Sequence, residues 1–498
     1  MNTPESKTSL WHATSVAPHL TQMLGNASTD VCIIGAGIAG LSVAYELLKA
    51  GMQVIVLESK TIGYGETGNT SAHLSNALDD RFFNLENMHG LDKAHLAASS
   101  HRDAIDRIEA ICKAENIECD FERVAGYLFA ANESDHELLA KEFFAAKRCG
   151  IDISKTTIKN LGECLNFPRQ AIFHPLKYLH GLAAAVIKLG GKIYENTPVV
   201  ELQKEPLQVK TETGYTVTAN KIVAATNAPF FSSLVMHMKL DPQRSYVIGL
   251  KVPKNSVKNA LYWDTANPYH YVRIARHDEQ NDTLIVGGKD HRVGCQPEDN
   301  LYENLKIWAE QYFAITNSEI IWQWSGQVLE PVDYLAYIGE NPKAKNVYMV
   351  TGDSGNGLTH GVIAGMLISD LIQAKTNPWT DVYKLNRMPI HAIPSLLSNA
   401  WASTLGYIKY LCPQFGATPN IGEGKIMQRG FKKVAVYRDE HNNLHECSGI
   451  CSHMQAVLSW NPKEKSWDCP AHGSRFDLEG NKLNGPATTG IKCSATKK

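Results

Sequence analysis

Two short segments near the end of the chain, Cys451-Ser452-His453 and Cys469-Pro470-Ala471-His472, each offer one thiolate and one imidazole, with 15 residues between them. Two cysteines and two histidines shared between paired hairpin loops suit a [2Fe–2S] centre in which thiolates hold one iron and imidazoles the other. A Cys2His2 zinc site is the alternative, although zinc fingers set their cysteines together and their histidines together. A second stretch, Val31–Glu58, carries chemistry of another kind: VCIIGAGIAGLSVAYELLKAGMQVIVLE. An apolar run enters a turn at Gly35, Gly37, Ile38, Ala39 and Gly40, helical spacing follows to Gly51, and a second apolar run closes on Glu58. The first glycine permits the tight turn, the second lets backbone approach a pyrophosphate, and the third lets helix pack on strand. A diphosphate would then sit at the positive end of the helix, with Glu58 accepting from a ribose hydroxyl. A P-loop or a plain strand-to-helix turn is the competing reading, but strand, helix and acid all fall where dinucleotide binding needs them.

The elements that must position these groups can be read along the chain. After Glu58 and Ser59, the loop holding Gly63, Gly65 and Gly68 alternates glycine with Glu66, Thr67, Thr70 and Ser71, which could surround a cofactor with N–H and hydroxyl donors. His73 follows and reads as a packing residue, with no covalent attachment expected. Ile105, Ile108 and Ile111 predict an amphipathic helix over Arg102–Cys112. KIVAATNA is a buried strand ending in a turn that carries Thr226. From Ser245 to Trp324 the pattern becomes alternating strands rich in aromatic residues, a plausible antiparallel roof over a flat cofactor. Tyr269, His270, Tyr271, Arg273, Lys289, His291 and Gln327 are its candidate substrate contacts, although alternation turns about half of any strand's residues to the wrong face. Strand Val347–Thr351 feeds a turn and helix carrying Gly352, Asp353, Gly355, Asn356, Gly357, Leu358 and Thr359, whose free N–H groups and dipole would stabilise negative charge above them.

At 498 residues the chain exceeds one compact core, and 49 Lys+Arg against 51 Asp+Glu suggest neither nucleic acid nor an anionic membrane as partner. The N-terminus lacks a signal pattern and no 18 apolar residues run together, so a cytoplasmic protein without a membrane segment is expected. Cys32, Cys112, Cys149 and Cys164 read as reduced, half-buried thiols.

GAGIAG with Glu58, EPVDYLAYIG and TGDSGNGLTHG, in that order, resemble the D-amino acid oxidase superfamily of FAD-dependent oxidoreductases. The resemblance implies an α/β FAD-binding Rossmann domain interleaved with an antiparallel substrate domain, and oxidation of amine or amino-acid C–N bonds by hydride transfer to FAD. It also implies a backbone contact to adenine at Pro198-Val199-Val200, with Val200 the candidate, and negative charge at the flavin N1–C2=O2 edge over Gly352–Thr359. WDCPAHGSRFD and NGPA resemble Rieske domains, a small all-β fold holding a [2Fe–2S] cluster through Cys451, His453, Cys469 and His472. Against the respiratory type, Ala456 and Ala471 stand where bracing cysteines would be, and Phe476 replaces a tyrosine while Ser474 is retained, which implies a lower potential. The whole order, including SLW, GETGNTSAHL and PYHYVRI, resembles fused proteins with both parts. The expected division is an arm (1–27), the FAD-dependent oxidoreductase (28–390; FAD parts about 28–85, 165–235 and 325–380, substrate parts about 86–164 and 236–324), a linker (391–420) and the Rieske domain (421–498). An amine or amino-acid-like substrate and an external electron acceptor are the expected partners; a relay module without its own substrate is the alternative. A Rieske oxygenase would need an iron triad with two closely spaced histidines, which the chain is expected to lack. Ile285 and Thr359 stand where lysines of N-methyl amino-acid oxidases activate oxygen and bind carboxylate, which implies slow reaction with oxygen unless Lys289 takes that part.

Overall fold

The structure is a computed structural model that describes residues 8–228, 230–231, 234–411 and 417–494, with backbone alone at 234, 402–403 and 405–411. Parts of the expected arm (1–7), linker (412–416) and C-terminal end (495–498) lie outside these ranges.

Strand Ala27–Ile34, helix Ile38–Lys49 and strand Val54–Leu57 follow one another as the glycine pattern predicts. The first strand is apolar on both faces because Val31 and Ile33 enter one core while Cys32 and Ile34 enter another on the opposite side of the sheet. The sheet runs Tyr337–Glu340, Val347–Thr351, Thr216–Ala224, Ala27–Ile34, Val54–Leu57, Lys192–Tyr194, parallel except at the Tyr337–Glu340 edge and where Leu207–Thr211 and Val199–Lys204 add antiparallel strands beside Thr216–Ala224. Gly35 takes φ +105°, where a side chain would be strained, and a Cβ there would meet Ala225 O at 2.5 Å. At Gly40 a Cβ would fall 1.9 Å from Gly35 O, so the turn closes only with glycine.

The second sheet has nine strands and is antiparallel except where Leu261–Asp264 runs beside Glu122–Phe129. One face, with Val247, Ile285 and Trp324, joins the core shared with the parallel sheet; the other, with Tyr246, Ile248 and Leu250, packs on helix Leu301–Phe313. The helix expected over Arg102–Cys112 extends over Leu91–Ala114, because buried Ala94, Ala97 and Ala98 continue the same face with side chains too small to register as apolar periodicity. The N-terminal arm is fastened by Trp11, whose buried indole donates to Thr70 O at 2.6 Å.

The C-terminal part is all β. Gly424–Arg429, Lys432–Arg438 and Leu444–Ser448 form one antiparallel sheet, and Ser459–Asn461, Ser466–Asp468, Arg475–Phe476 and Lys482–Asn484 another. Trp460, Trp467, Tyr437 and Phe476 supply its core. A disulfide joins Cys447 to Cys493 across 46 residues, too distant a pair for the sequence reading to have matched. Helix Ile393–Leu411 leads toward this part, and ahead of it Arg387 clamps buried Asp333 through two bonds of 2.7 and 2.9 Å. Among the described residues no helix is long and apolar enough to cross a membrane.

Candidate active site and cluster loops

A groove follows the glycine turn. Gly35, Gly37, Glu58, Ser59, Gly65, Glu66 and Thr226 line it. The Glu58 carboxylate accepts from Ala36 N (2.8 Å) and Lys60 N (2.9 Å), which fixes it at the end of its strand facing the groove. Gly37, the N-cap of helix Ile38–Lys49, brings no capping side chain, and Thr67 Oγ1 accepts from Ile38 N at 3.1 Å. Unfilled helix-end donors, a glycine cradle and a terminal acid are the donor set a dinucleotide needs, so these residues fit FAD. Val199, not Val200, lines the groove: the pairing of this strand is irregular between Val199 and Glu201, which takes Val200 out of the regular alternation. Gly40 serves helix packing instead of lining the groove.

The groove opens into a cavity lined by Ile38, Ala39, Glu66, Thr67, Thr70, Ser71, Asp353, Gly355, Asn356, Gly357 and Leu358. Gly352 is absent from this wall, and the Thr359 hydroxyl turns away to His101 Nδ1 at 2.7 Å. Of the seven candidate substrate contacts, Tyr269, Tyr271 and Gln327 face the cavity. His270 pairs with Asp264 (2.9 Å) and stacks on Trp308; Arg273 donates to Ala72 O and Phe173 O beneath Trp11. Lys289 is held by Glu298 at 3.0 Å, and His291 stacks on Tyr246. Ile285 lies fully buried in the sheet. His73 lines the cavity, its Nδ1 3.0 Å from Ser71 Oγ, and burial lowers its pKa to about 3, so it is neutral.

The residue that alternation hid is Asp290. Arg244 pairs with His291 and Tyr246 with Gly288, so Ser245 alone faces both Lys289 and Asp290: a β-bulge. Lys289 takes φ +59° and the bulge sends Asp290 into the cavity, between the two residues selected from sequence. Asp290 Oδ1 is buried without a hydrogen-bond partner. Asp79 accepts from Tyr269 OH at 2.8 Å nearby, and the Ser354 hydroxyl links Asp80 to Glu330. Burial raises Asp79, moves Asp80, Asp290 and Asp353 to about 7, and lifts Glu330 well above the usual range. Among the described residues no lysine or arginine lines the cavity.

At the far side of the cavity stand the cluster loops. Cys451 and Cys469 are buried with their thiols in contact, and the rings of His453 and His472 lie 5.3 Å apart. Each imidazole keeps a buried Nδ1 with no hydrogen-bond partner, the state of a nitrogen prepared for a metal. Among the described residues no three of His, Cys, Asp and Glu converge as around a single ion. Thiols in one pair and imidazoles in another suit a two-iron cluster better than a zinc tetrahedron. The expectation of no closely spaced histidines needs correction: His441 and His445 stand with three residues between them. His441 lies in the turn after Lys432–Arg438 and His445 in the returning strand Leu444–Ser448, where Asp439 accepts from His445 Nε2 at 2.9 Å.

The loops face the oxidoreductase part. His237 of helix Leu234–Met238 places its ring 4.9 Å from His453 and 5.0 Å from His472. Gln327 lines the cavity and donates to Gly473 O at 2.9 Å, next to His472. Glu464 accepts from Arg244 (3.0 Å) and Ser325 (2.6 Å) across the same boundary.

Residues 30–371 match the family of FAD dependent oxidoreductases (DAO). The chain belongs to that family. Residues 416–495 of the oxidoreductase match the Rieske [2Fe-2S] domain. It is 29% identical over 503 residues to the Rieske 2Fe-2S iron-sulfur protein YhfW of Bacillus subtilis, covering 98% of this chain and 97% of that one. Gamma-glutamylputrescine oxidoreductase of Escherichia coli is 27% identical over 372 residues, 69% of this chain and 83% of that one. The crystal structure of glycine oxidase from Geobacillus kaustophilus shares the fold of the oxidoreductase at TM-score 0.62 and 18% identity, covering 73% of this chain and 100% of that one. The oxidoreductase therefore combines a D-amino acid oxidase-like α/β FAD-binding fold with an all-β Rieske domain, and its cofactors are FAD and a [2Fe–2S] cluster.

Proposed function

We propose that the enzyme oxidises the C–N bond of a cationic amine and delivers the electrons through its own Rieske cluster to an external one-electron acceptor. Bound in the groove, FAD would supply the acceptor for a hydride from the carbon that carries the nitrogen, and a cluster held by the loops would supply one-electron transfer. The observation that carries the substrate assignment is the cavity wall: Asp290 with a free Oδ1, Asp79 and Glu330, and, among the described residues, no lysine or arginine to hold a carboxylate. An ammonium group offsets the cost of keeping such carboxylates ionised out of water. Asp290 Oδ1 is the atom suited to take the ammonium proton, since its pKa near 7 lets it act as a base at neutral pH. Tyr269 and Tyr271 orient the substrate; Tyr271 OH is 2.8 Å from Ser245 Oγ, beside Asp290. Gly35, Gly37, Glu58 and Thr67 would hold the dinucleotide, while Cys451 and Cys469 would supply thiolates and His453 and His472 imidazoles to the two irons of the cluster.

The chain's own contribution to the relay is proximity. Gln327 spans from the cavity wall to the loop that carries His472, and His237 closes over both imidazoles, so water is kept from that boundary. Two redox centres held in one chain meet at high effective concentration. The test is an anaerobic screen of diamines, monoamines and amino acids, following bleaching of the oxidised flavin band and the appearance of the reduced-cluster signal by electron paramagnetic resonance. A diamine or other carboxylate-free amine should bleach the flavin and reduce the cluster. Bleaching by amino acids alone would overturn the substrate assignment. Flavin bleaching with a cluster that stays oxidised while air reoxidises the flavin quickly would overturn the relay.

A further inference from the structure

The dinucleotide groove has two walls, and they come from different domains. One is the glycine turn and Glu58; the other is the Rieske segment running from Lys482 to Thr488. Asn484 of that segment donates to Glu66 Oε1 at 2.6 Å, and Glu66 Oε2 in turn accepts from Gln327 N at 2.6 Å, which ties the segment to the glycine-rich loop. Two lysines line the groove. Lys60 is engaged, its ammonium 3.2 Å from Tyr64 OH and 4.2 Å from the centre of that ring. Lys482 makes no hydrogen bond or ion pair among the described residues, although it is partly buried and lies within electrostatic reach of Glu58, Glu212 and Lys60. A half-buried ammonium without a partner, facing a groove shaped for a diphosphate, is otherwise a cost to the fold.

We infer that the Rieske domain is part of the FAD site: the Lys482–Thr488 segment closes over the ADP half of the cofactor, and Lys482 contributes positive charge toward its pyrophosphate. Backbone N–H groups at a helix end provide roughly half a unit of positive charge, whereas a pyrophosphate carries about two negative ones, so a cation opposite the glycine turn completes the neutralisation. Asn484 keeps the segment in place by holding Glu66. FAD retention and docking of the Rieske domain are then linked, each favouring the other by the same factor. The domain that receives electrons would also be the one that keeps the flavin from leaving. This inference rests on FAD binding and holds whether or not the amine assignment does.

The experiment uses the full-length protein, stripped of FAD and titrated with FAD by fluorescence quenching, in wild type, Lys482→Gln, Lys482→Arg and Asn484→Ala. The cluster's visible absorbance in each variant reports that the Rieske domain is folded. Lys482→Gln should weaken FAD binding by about tenfold or more, as loss of a charge-assisted contact does. It should also flatten the dependence of affinity on ionic strength, since the screened charge is gone. Lys482→Arg should restore most of both. Asn484→Ala should speed FAD release by several-fold while the cluster absorbance stays intact. An affinity for Lys482→Gln within twofold of wild type, with an unchanged salt slope, would overturn the inference, and so would an arginine variant that behaves like the glutamine one.

Discussion

The two ends of the cavity hold their charge in opposite ways. At the substrate end Asp290 keeps an unpartnered carboxylate oxygen, the Asp79 carboxylate accepts from a tyrosine hydroxyl, and no lysine or arginine among the described residues lines the wall. At the cluster end the half-buried Glu464 lies 3.0 Å from Arg244 and 3.3 Å from Arg475, and Arg475 bonds Asp468 at 3.0 Å. Compensated charge holds two domains together; uncompensated charge waits for a ligand. The contrast follows from strand geometry, because a regular pairing would have kept Asp290 off the cavity face, and the bulge at Lys289 and Asp290 put it there.

The comparison breaks most readily at Asp290. Asp290→Asn preserves shape and removes the charge, and kcat/KM for the amine should fall about a hundredfold or more, the cost of leaving a buried cation without its partner. FAD content and cluster absorbance should stay as in the wild type. A rate within threefold of wild type would show that the carboxylate serves the fold alone.

Next comes the compensated end. Glu464→Ala strands Arg244 in a buried boundary, while Arg475 keeps its bond to Asp468, and breaking such a pair costs about 3–5 kcal/mol. The expected result is an earlier first transition in thermal melting, accompanied by loss of the cluster signal before the flavin is released. Coincident, unshifted transitions would mean that Glu464 does not hold the domains together.

How far the sequence could see tracks these same two ends. The glycine turn with Glu58, and the helix that begins at Gly357, were legible because backbone geometry demands glycine, and a strand-to-helix turn leaves few alternatives. The cluster loops were legible because four chemically distinct residues recur at short spacing. Selection of substrate contacts failed where it relied on regular alternation: Lys289 and His291 were chosen, and the bulge made the residue between them the one that enters the cavity. His237 was invisible, since nothing local distinguishes a histidine that reaches the cluster loops only through the tertiary fold. Lys482 and Asn484 were equally hidden, being remote in sequence from the groove they complete.

A smaller effect is expected at Gln327, which bridges the two ends. Gln327→Ala removes the bond to Gly473 O and leaves both cofactor sites otherwise complete. Cluster reduction after rapid mixing with amine should slow by about two- to fivefold, in keeping with one lost neutral hydrogen bond of about 1 kcal/mol, while flavin bleaching keeps its rate. Equal slowing of both steps would place Gln327 in substrate handling instead.

The finest test of the contrast is protonic. Burial moves Asp290 to about 7, with Asp79 raising it further and the Ser245 hydroxyl lowering it, and moves Asp353 to about 7 as well. Each folded value lies above that of an unfolded carboxyl, about 3.9, so the stability these groups contribute is full below about pH 4 and is lost as the pH rises through about 7. An amine cation seated beside Asp290 favours the ionised carboxylate and pulls its pKa down again, so binding must release protons in the window between those values. Calorimetric titration at about pH 6.5 in two buffers of different ionisation enthalpy should therefore show net proton release with an amine and less in Asp290→Asn. The thermal stabilisation given by the amine should grow as the pH is raised toward 7. The cluster end, where Glu464 and Asp468 already have Arg244 and Arg475 as cations, should show no such ligand-linked release. Proton uptake on amine binding, or an affinity that does not change between about pH 5 and 7, would mean that the cavity carboxylates do not meet the cation and that the two ends are more alike than their partners suggest.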